Sequence, residues 1–184
     1  MCYIFCMNYL VVLGTVRKGR YSKAVADFIV KTAKKNYPKE HFELLDIKDL
    51  NLSLNQEGSK LTDTSLIEKL KSTHGFIFVF PEYNHSFPAS LKLFIDLWDK
   101  DRLYLHKTCA CVGVSSGRYG GTRAIESFIN VARALGMFVT YRDANITKVQ
   151  EEFKNSVPEN PKKWENLVTP MLEELVKVTN LLIK

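Results

Sequence analysis

The chain has 184 residues, a net charge of +6, 46% hydrophobic residues and 25% charged ones. That is enough chain to bury a core without metals or disulfides, and the balance excludes a disordered, collagenous or low-complexity protein. The basic residues are spread along the chain rather than gathered with aromatics, which argues against a nucleic-acid partner and leaves a positive field that favours anionic substrates. The longest apolar runs are strand-length, far below the roughly 20 residues that span a bilayer. The N-terminal stretch to Leu13 has no basic leader or small-residue cleavage site, so a cytoplasmic location and no membrane partner are expected.

The first strand is expected over Tyr9–Leu13 and the second over Phe42–Leu45. A third is expected over Phe76–Phe80, a fourth over Cys109–Val114 and a fifth near Met137–Thr140. Helical stripes fall between them: Val25, Phe28, Ile29 and Ala33; Leu66, Ile67 and Leu70; Leu91, Phe94, Ile95 and Trp98; Ile125, Phe128, Ile129, Ala132 and Leu135, closed by Gly136. Strands alternating with helices imply parallel strands joined by crossover helices, an α/β fold. The first, third and fourth strands are apolar throughout, as strands covered on both faces must be.

After these, Glu151–Lys163 reads as a loop. Trp164, Val168, Met171, Leu175, Val178 and Leu182 mark a closing helix or a partner seam, with Pro170 kinking it or sitting in its first turn behind Thr169 as the cap. The four cysteines, Cys2, Cys6, Cys109 and Cys111, lack the spacing of a zinc or redox motif and read as buried free thiols, and no histidine cluster suggests a metal. Leu93, Leu97 and Trp98 widen the third helical stripe beyond what one core needs, which points to a homodimer face.

In an open parallel sheet the ligand lies beyond the carboxyl ends of the strands. Three unusual loops fall there. The first runs from Gly14 to Ser22. Gly14 and Gly19 have Walker A separation, but Arg20 and Tyr21 stand where Lys and Ser or Thr should, and the dinucleotide glycine pattern is missing too. Thr15, Arg17, Ser22 and the helix N-terminus suit a phosphate monoester, while a simple helix cap at Ser22 is the plainer alternative. The second loop, Pro81-Glu82-Tyr83-Asn84-His85-Ser86-Phe87-Pro88, offers rigid walls and in-plane polar groups for a planar heteroaromatic ring. The third, Ser115-Ser116-Gly117-Arg118-Tyr119-Gly120-Gly121-Thr122-Arg123, permits close backbone approach at the start of a helix. On one edge, the three favour a phosphorylated aromatic cofactor.

Over about residues 9–142 these loops and their order resemble the NADPH-dependent FMN reductases and their quinone, azo and chromate reductase relatives, the second loop being the most specific part. The resemblance implies a flavodoxin-like three-layer sandwich with a five-stranded parallel sheet, residues 1–184 forming one FMN-binding domain. It implies that Thr15, Arg17 and Ser22 hold the FMN phosphate. Pro81, Glu82, Tyr83, Asn84, Ser115, Ser116 and Gly117, with Gly120 and Gly121, would surround the ring. It implies a dimer as well. No side chain is then obligatory as a catalytic acid or base, since the cofactor carries the hydride chemistry. NADPH (or NADH) would be the donor, with Arg118 the candidate for its distinguishing phosphate. The acceptor would be a quinone, azo compound, free flavin or metal ion, reached by a ping-pong cycle. A flavodoxin-type electron carrier and an FMN-binding sensor are the alternatives. Thr15 replaces a common serine, Tyr21-Ser22-Lys23 lacks a common asparagine, and the stretch after Asp46 lacks the usual prolines.

Overall fold

The computed structural model describes residues 6–50, 52–53, 63–99, 102–154 and 157–183. The elements are, in order, β1 (Asn8–Leu13), α1 (Ser22–Asn36), β2 (His41–Asp46), a 3₁₀ turn (Ile47–Asp49), α2 (Thr64–Ser72), β3 (Gly75–Pro81) and α3 (Ala89–Trp98). There follow β4 (Thr108–Val114), α4 (Thr122–Ala134), β5 (Phe138–Val139), β6 (Ala144–Ile146), α5 (Val149–Glu152) and α6 (Pro161–Leu182). The strands pair in the order β2-β1-β3-β4-β5, all in parallel, with β6 also parallel to β4. This is the flavodoxin-like arrangement.

Side chains of a strand alternate between faces, and here the alternation divides the core cleanly. Tyr9, Val11 and Leu13 of β1 join Ile77 and Val79 of β3 against α1 and α6. Leu10 and Val12 join Phe76, Phe78 and Phe80 against α2, α3 and α4. Helices on both faces explain why β4 is buried at every position. The second layer is rich in aromatics: the Phe78 and Phe128 rings lie 4.7 Å apart and those of Phe80 and Phe128 5.1 Å apart. Such pairs add to the roughly 1.5–3 kcal/mol that burial of each large apolar side chain contributes.

Several sequence expectations need correction. The fifth strand position is filled by two short pieces, β5 and β6, which pair with opposite ends of β4. Only β5 falls within the expected segment. The stretch Glu151–Lys163 is not one loop, because α5 reaches Glu152 and α6 begins at Pro161. Asn160 caps α6 by accepting from the Lys163 amide at 3.1 Å, so Pro161 is the first-turn proline and Pro170 lies inside the helix. Thr169 is no cap; it receives a hydrogen bond from Asn36 Nδ2 at 3.3 Å. The buried face of α6 drifts from Val168 and Met171 to Val176 and Thr179, leaving Leu182 exposed. A straight helix of 3.6 residues per turn cannot hold a seam of period 3.5 on one face.

Leu97 and Trp98 are each only 5% exposed, because they pack inside the chain against the same core as Phe94. The α3 face is therefore spent internally and offers no argument for a dimer. Cys109 and Cys111 are buried as expected, whereas Cys6, which precedes β1, is exposed. Their mutual hydrogen bond and burial push the Cys111 thiol well above the usual thiol range, so it stays protonated. Cys2 lies outside the described residues.

One close approach fixes the end of β4. A Cβ on Gly113 would lie 2.5 Å from the Gly120 carbonyl oxygen and 2.9 Å from that of Gly121, both backbone atoms. Gly113→Ala is expected to destabilise the fold by about 1–3 kcal/mol, the usual cost of overpacking; an unchanged urea midpoint would contradict this packing.

Asp143 occupies the break between β5 and β6, its Oδ1 buried with no hydrogen-bond partner. Burial raises its carboxyl from 3.8 to about 6. The folded chain then holds this proton more tightly than the unfolded chain does, so stability falls as pH rises from about 4 to 6. Asp143→Asn should therefore stabilise the protein at pH 8 and change little at pH 4, as measured by urea unfolding at both values.

Candidate functional site

All three loops leave the carboxyl edge of the sheet. The first begins at Gly14, whose amide donates to the Val79 carbonyl at 2.8 Å and whose carbonyl accepts from Ser90 Oγ at 3.2 Å. A Cβ there would lie 2.8 Å from Leu91 Cδ2, so a larger residue would have to displace that buried side chain. Thr15 is 1% exposed, with Oγ1 placed 3.2 Å from the Tyr83 hydroxyl and within 3.4 Å of the Arg17 amide. Thus the first loop is hydroxyl-linked to the second. Arg17 is exposed, its guanidinium carbon 5.7 Å from the centre of the Tyr83 ring.

The loop ends at α1, whose N-terminus has no side-chain cap and no acidic residue in its first turn. Ser22 is 2% exposed, and its Oγ has no hydrogen-bond partner. The plain alternative of a capping serine is not what the structure shows. A buried hydroxyl at the positive end of an uncapped helix leaves an unmet demand for an acceptor.

In the second loop the Glu82 amide continues the β3–β4 ladder by donating to the Val114 carbonyl at 3.1 Å. Tyr83 and Ser86 then exchange backbone hydrogen bonds of 2.9 and 3.0 Å around Asn84 and His85, with φ of 48° and 65°. Two consecutive positive φ angles make this a tight primed turn, a conformation that asparagine tolerates well. Ser86 Oγ lies 2.9 Å from Ser127 Oγ, which ties the turn to α4. Glu82 Oε1 is 3.5 Å from Arg123 Nη1, and Glu82 Oε2 is buried with no partner.

The third loop starts with the Ser115 amide donating to Ile146 of β6 at 2.9 Å, while Ser115 Oγ accepts from the Gly117 amide at 3.0 Å. Gly120 and Gly121 take φ of 59° and 83°, and they pack against Asn145 and Gly113. Arg118 and Arg123 both stand over Tyr119, with guanidinium carbons 5.0 and 5.2 Å from its ring centre.

Between the loops lies a cleft of about 380 Å³. Of the residues expected from sequence, Arg17, Ser22, Pro81, Glu82, Tyr83, Ser115 and Ser116 form its walls. Thr15 reaches those walls through Tyr83, and Gly117 through Ser115. Asn84, Arg118, Gly120 and Gly121 do not line it; the two glycines make room for the loop beside β4 and β6. Arg20 and Tyr21 of the first loop do line it, as do Val149 and Gln150 at the start of α5. Val149 and Gln150 escaped the sequence reading because they follow β6. The one available signal was the apolar alternation of Ala144, Asn145 and Ile146.

A doubly wound parallel sheet with an uncapped helix, orphaned buried polar atoms and a tyrosine-walled cleft on its carboxyl edge defines a flavodoxin-like α/β protein. The sequence profile of the NADPH-dependent FMN reductases matches residues 7–151, and the chain belongs to that family. It is 30% identical over 114 residues to a quinone reductase of Pseudomonas putida, covering 60% of this chain and 61% of that protein. A potato (Solanum tuberosum) NAD(P)H:quinone oxidoreductase is 27% identical over 157 residues, covering 81% and 75%. The fold is similar to FerB, a flavoenzyme NAD(P)H:(acceptor) oxidoreductase from Paracoccus denitrificans, with a TM-score of 0.77, 20% identity and coverage of 93% and 98%. The match to the Pseudomonas putida protein thus spans about three fifths of that relative's length. Among the described residues no helix is long and apolar enough to cross a membrane, and no cluster could hold a metal ion.

The Ser22 geometry makes a sharp prediction. Loss of a capping serine costs about 1 kcal/mol, but Ser22 Oγ makes no bond to lose. Ser22→Ala should leave the ligand-free protein within about 0.5 kcal/mol of the parent in chemical denaturation; a full capping penalty would refute the assignment.

Proposed function

We propose that the chain is an FMN-dependent NAD(P)H oxidoreductase that passes electrons from NADPH (or NADH) to a small-molecule acceptor of the quinone, azo, flavin or metal-ion kind. The observation that carries this reading is the buried, unpartnered Ser22 hydroxyl at the uncapped start of α1, which fits the phosphate monoester of FMN. The chemistry that FMN supplies when bound is hydride acceptance from a nicotinamide and return of the electron pair to an acceptor.

The protein's part is to bind, orient and exclude water. Thr15, Arg17, Ser22 and the α1 amides hold the phosphate, with Tyr83 keeping Thr15 Oγ1 in place. Pro81, Glu82 and Tyr83, facing Ser115 and Ser116, enclose the ring, with the Asn84 turn fixing Tyr83 and the Gly117 amide fixing Ser115, while Gly120 and Gly121 let the third loop sit close to β4. Arg118, paired with Arg123 around Tyr119, is the candidate for the extra phosphate of NADPH. Donor and acceptor use the same cleft in turn, a ping-pong cycle. A homodimer and a single domain over residues 1–184 complete the proposal. The dimer rests on the resemblance alone, since α3 buries its apolar face within the chain.

The test is spectroscopic and kinetic. The purified protein should be yellow, release flavin that chromatographs as FMN on heating, and bleach with anaerobic NADPH. Double-reciprocal plots at several quinone concentrations should be parallel. Flavin that NADPH leaves oxidised while dithionite bleaches it would make the chain a carrier or sensor, and intersecting lines would refute the alternating use of one cleft.

A further inference from the structure

Arg17 is the guanidinium to which the sequence points, yet it lies exposed over Tyr83. The buried guanidinium of this loop belongs to Arg20, whose side chain is 8% exposed and lines the cleft. Its Nη2 pairs with Asp46 Oδ2, its Nη1 donates to the Arg17 carbonyl at 3.2 Å, and its Nε is buried with no partner. Asp46, the last residue of β2, is 10% exposed and uses its other oxygen to accept from the Lys48 amide at 3.1 Å. Both charged groups are therefore fixed from two sides.

Stability alone gives a poor account of this arrangement. A buried ion pair roughly cancels its own desolvation, and an unmet buried N–H adds a further cost. The account changes if an anion completes the set. Arg20 Nε and Ser22 Oγ are two orphaned buried polar atoms two residues apart, on a loop that runs into the uncapped N-terminus of a 15-residue helix. A guanidinium held rigid by a carboxylate loses little freedom when it meets a phosphate, which is what preorganised anion binding needs.

We infer that Arg20 is a binding residue for the phosphate monoester at this end of the cleft, and that Asp46 is its positioning residue. The inference rests on the flavin reading above for the identity of the ligand. It adds the second strand's exit to the phosphate site: the carboxylate ending β2 aims a guanidinium from the loop after β1.

The experiment compares FMN with riboflavin, which lacks the phosphate, by quenching of flavin fluorescence in the parent, Arg20→Gln, Asp46→Asn and the double variant Arg20→Gln/Asp46→Asn. The double variant removes both charges together, so no unpaired charge is left buried. Arg20→Gln should weaken FMN binding about 10- to 100-fold and leave riboflavin affinity within about threefold. The double variant should be equally weak for FMN, and Asp46→Asn alone should lose less. Equal weakening of both flavins, or recovery of parental FMN affinity in the double variant, would show that the pair only staples the loop and would overturn the inference. A parent that binds neither flavin would overturn the flavin reading instead. The phosphate inference would then be decided by inorganic phosphate: the parent's Tm should rise with it and the double variant's should not, and no rise in the parent would overturn it.

Discussion

The structure depends on a parallel hydrogen-bond ladder that does not stop where its strands stop. The Gly14 amide reaches the Val79 carbonyl, the Glu82 amide reaches Val114, and the Ser115 amide reaches Ile146, at 2.8, 3.1 and 2.9 Å. Each functional loop thus has its first residue held by the neighbouring strand or its continuation. Parallel pairing also requires crossover helices, which deliver every strand's carboxyl end to the same edge. Rigidity at the loop roots and convergence at one edge come from one constraint. Thr15, Glu82 and Ser116 owe their neighbourhood to it, although they are far apart in the chain.

On that frame the site is electrostatically unfinished. An uncapped helix, a buried serine hydroxyl and a buried carboxylate oxygen of Glu82 all lack partners, within loops whose backbone is otherwise well bonded. Native folds satisfy nearly all buried polar groups, and three of the exceptions here, on Arg20, Ser22 and Glu82, lie beside the cleft, while others, such as Trp98 Nε1 and Tyr104 OH, lie in the core. The chain's positive net charge works in the same direction, since a positive field favours anionic ligands over a longer range.

Much of this was legible in the sequence, and the failures have physical causes. The apolar runs of β1, β3 and β4 identify themselves because strands covered on both faces have no polar alternation to hide them. The glycines at 120 and 121 announce the close backbone approach that their positive φ angles allow, whereas the left-handed turn at Asn84 and His85 carries no such glycine signal. By contrast β6 has three residues, whose single apolar alternation is too short to mark a strand on its own, and with it went Val149 and Gln150 on the cleft wall. Pro170 left a place inside the helix and a place in its first turn both open because a proline signal is local; the helix runs through it because Trp164, Val168, Met171 and Leu175 pack on the sheet. Leu97 and Trp98 looked surplus because a helical stripe shows which residues share a face, not how far the opposing layer reaches. The sequence pointed to Arg17 and passed over Arg20, because the burial of Arg20 is decided by Asp46, 26 residues further on.

The broken fifth strand has a consequence for assembly. A sheet grows into a neighbouring molecule when its outermost strand offers a long, straight run of unused amides and carbonyls. Here one border consists of two fragments, of two and three residues, separated by a bend that contains Arg142 and Asp143. The opposite border, β2, carries His41 and Glu43, with Glu43 bound to Lys69. The β5–β6 margin thus gives a second chain no long, straight template on which to add a strand, whereas charge alone guards the six-residue margin of β2.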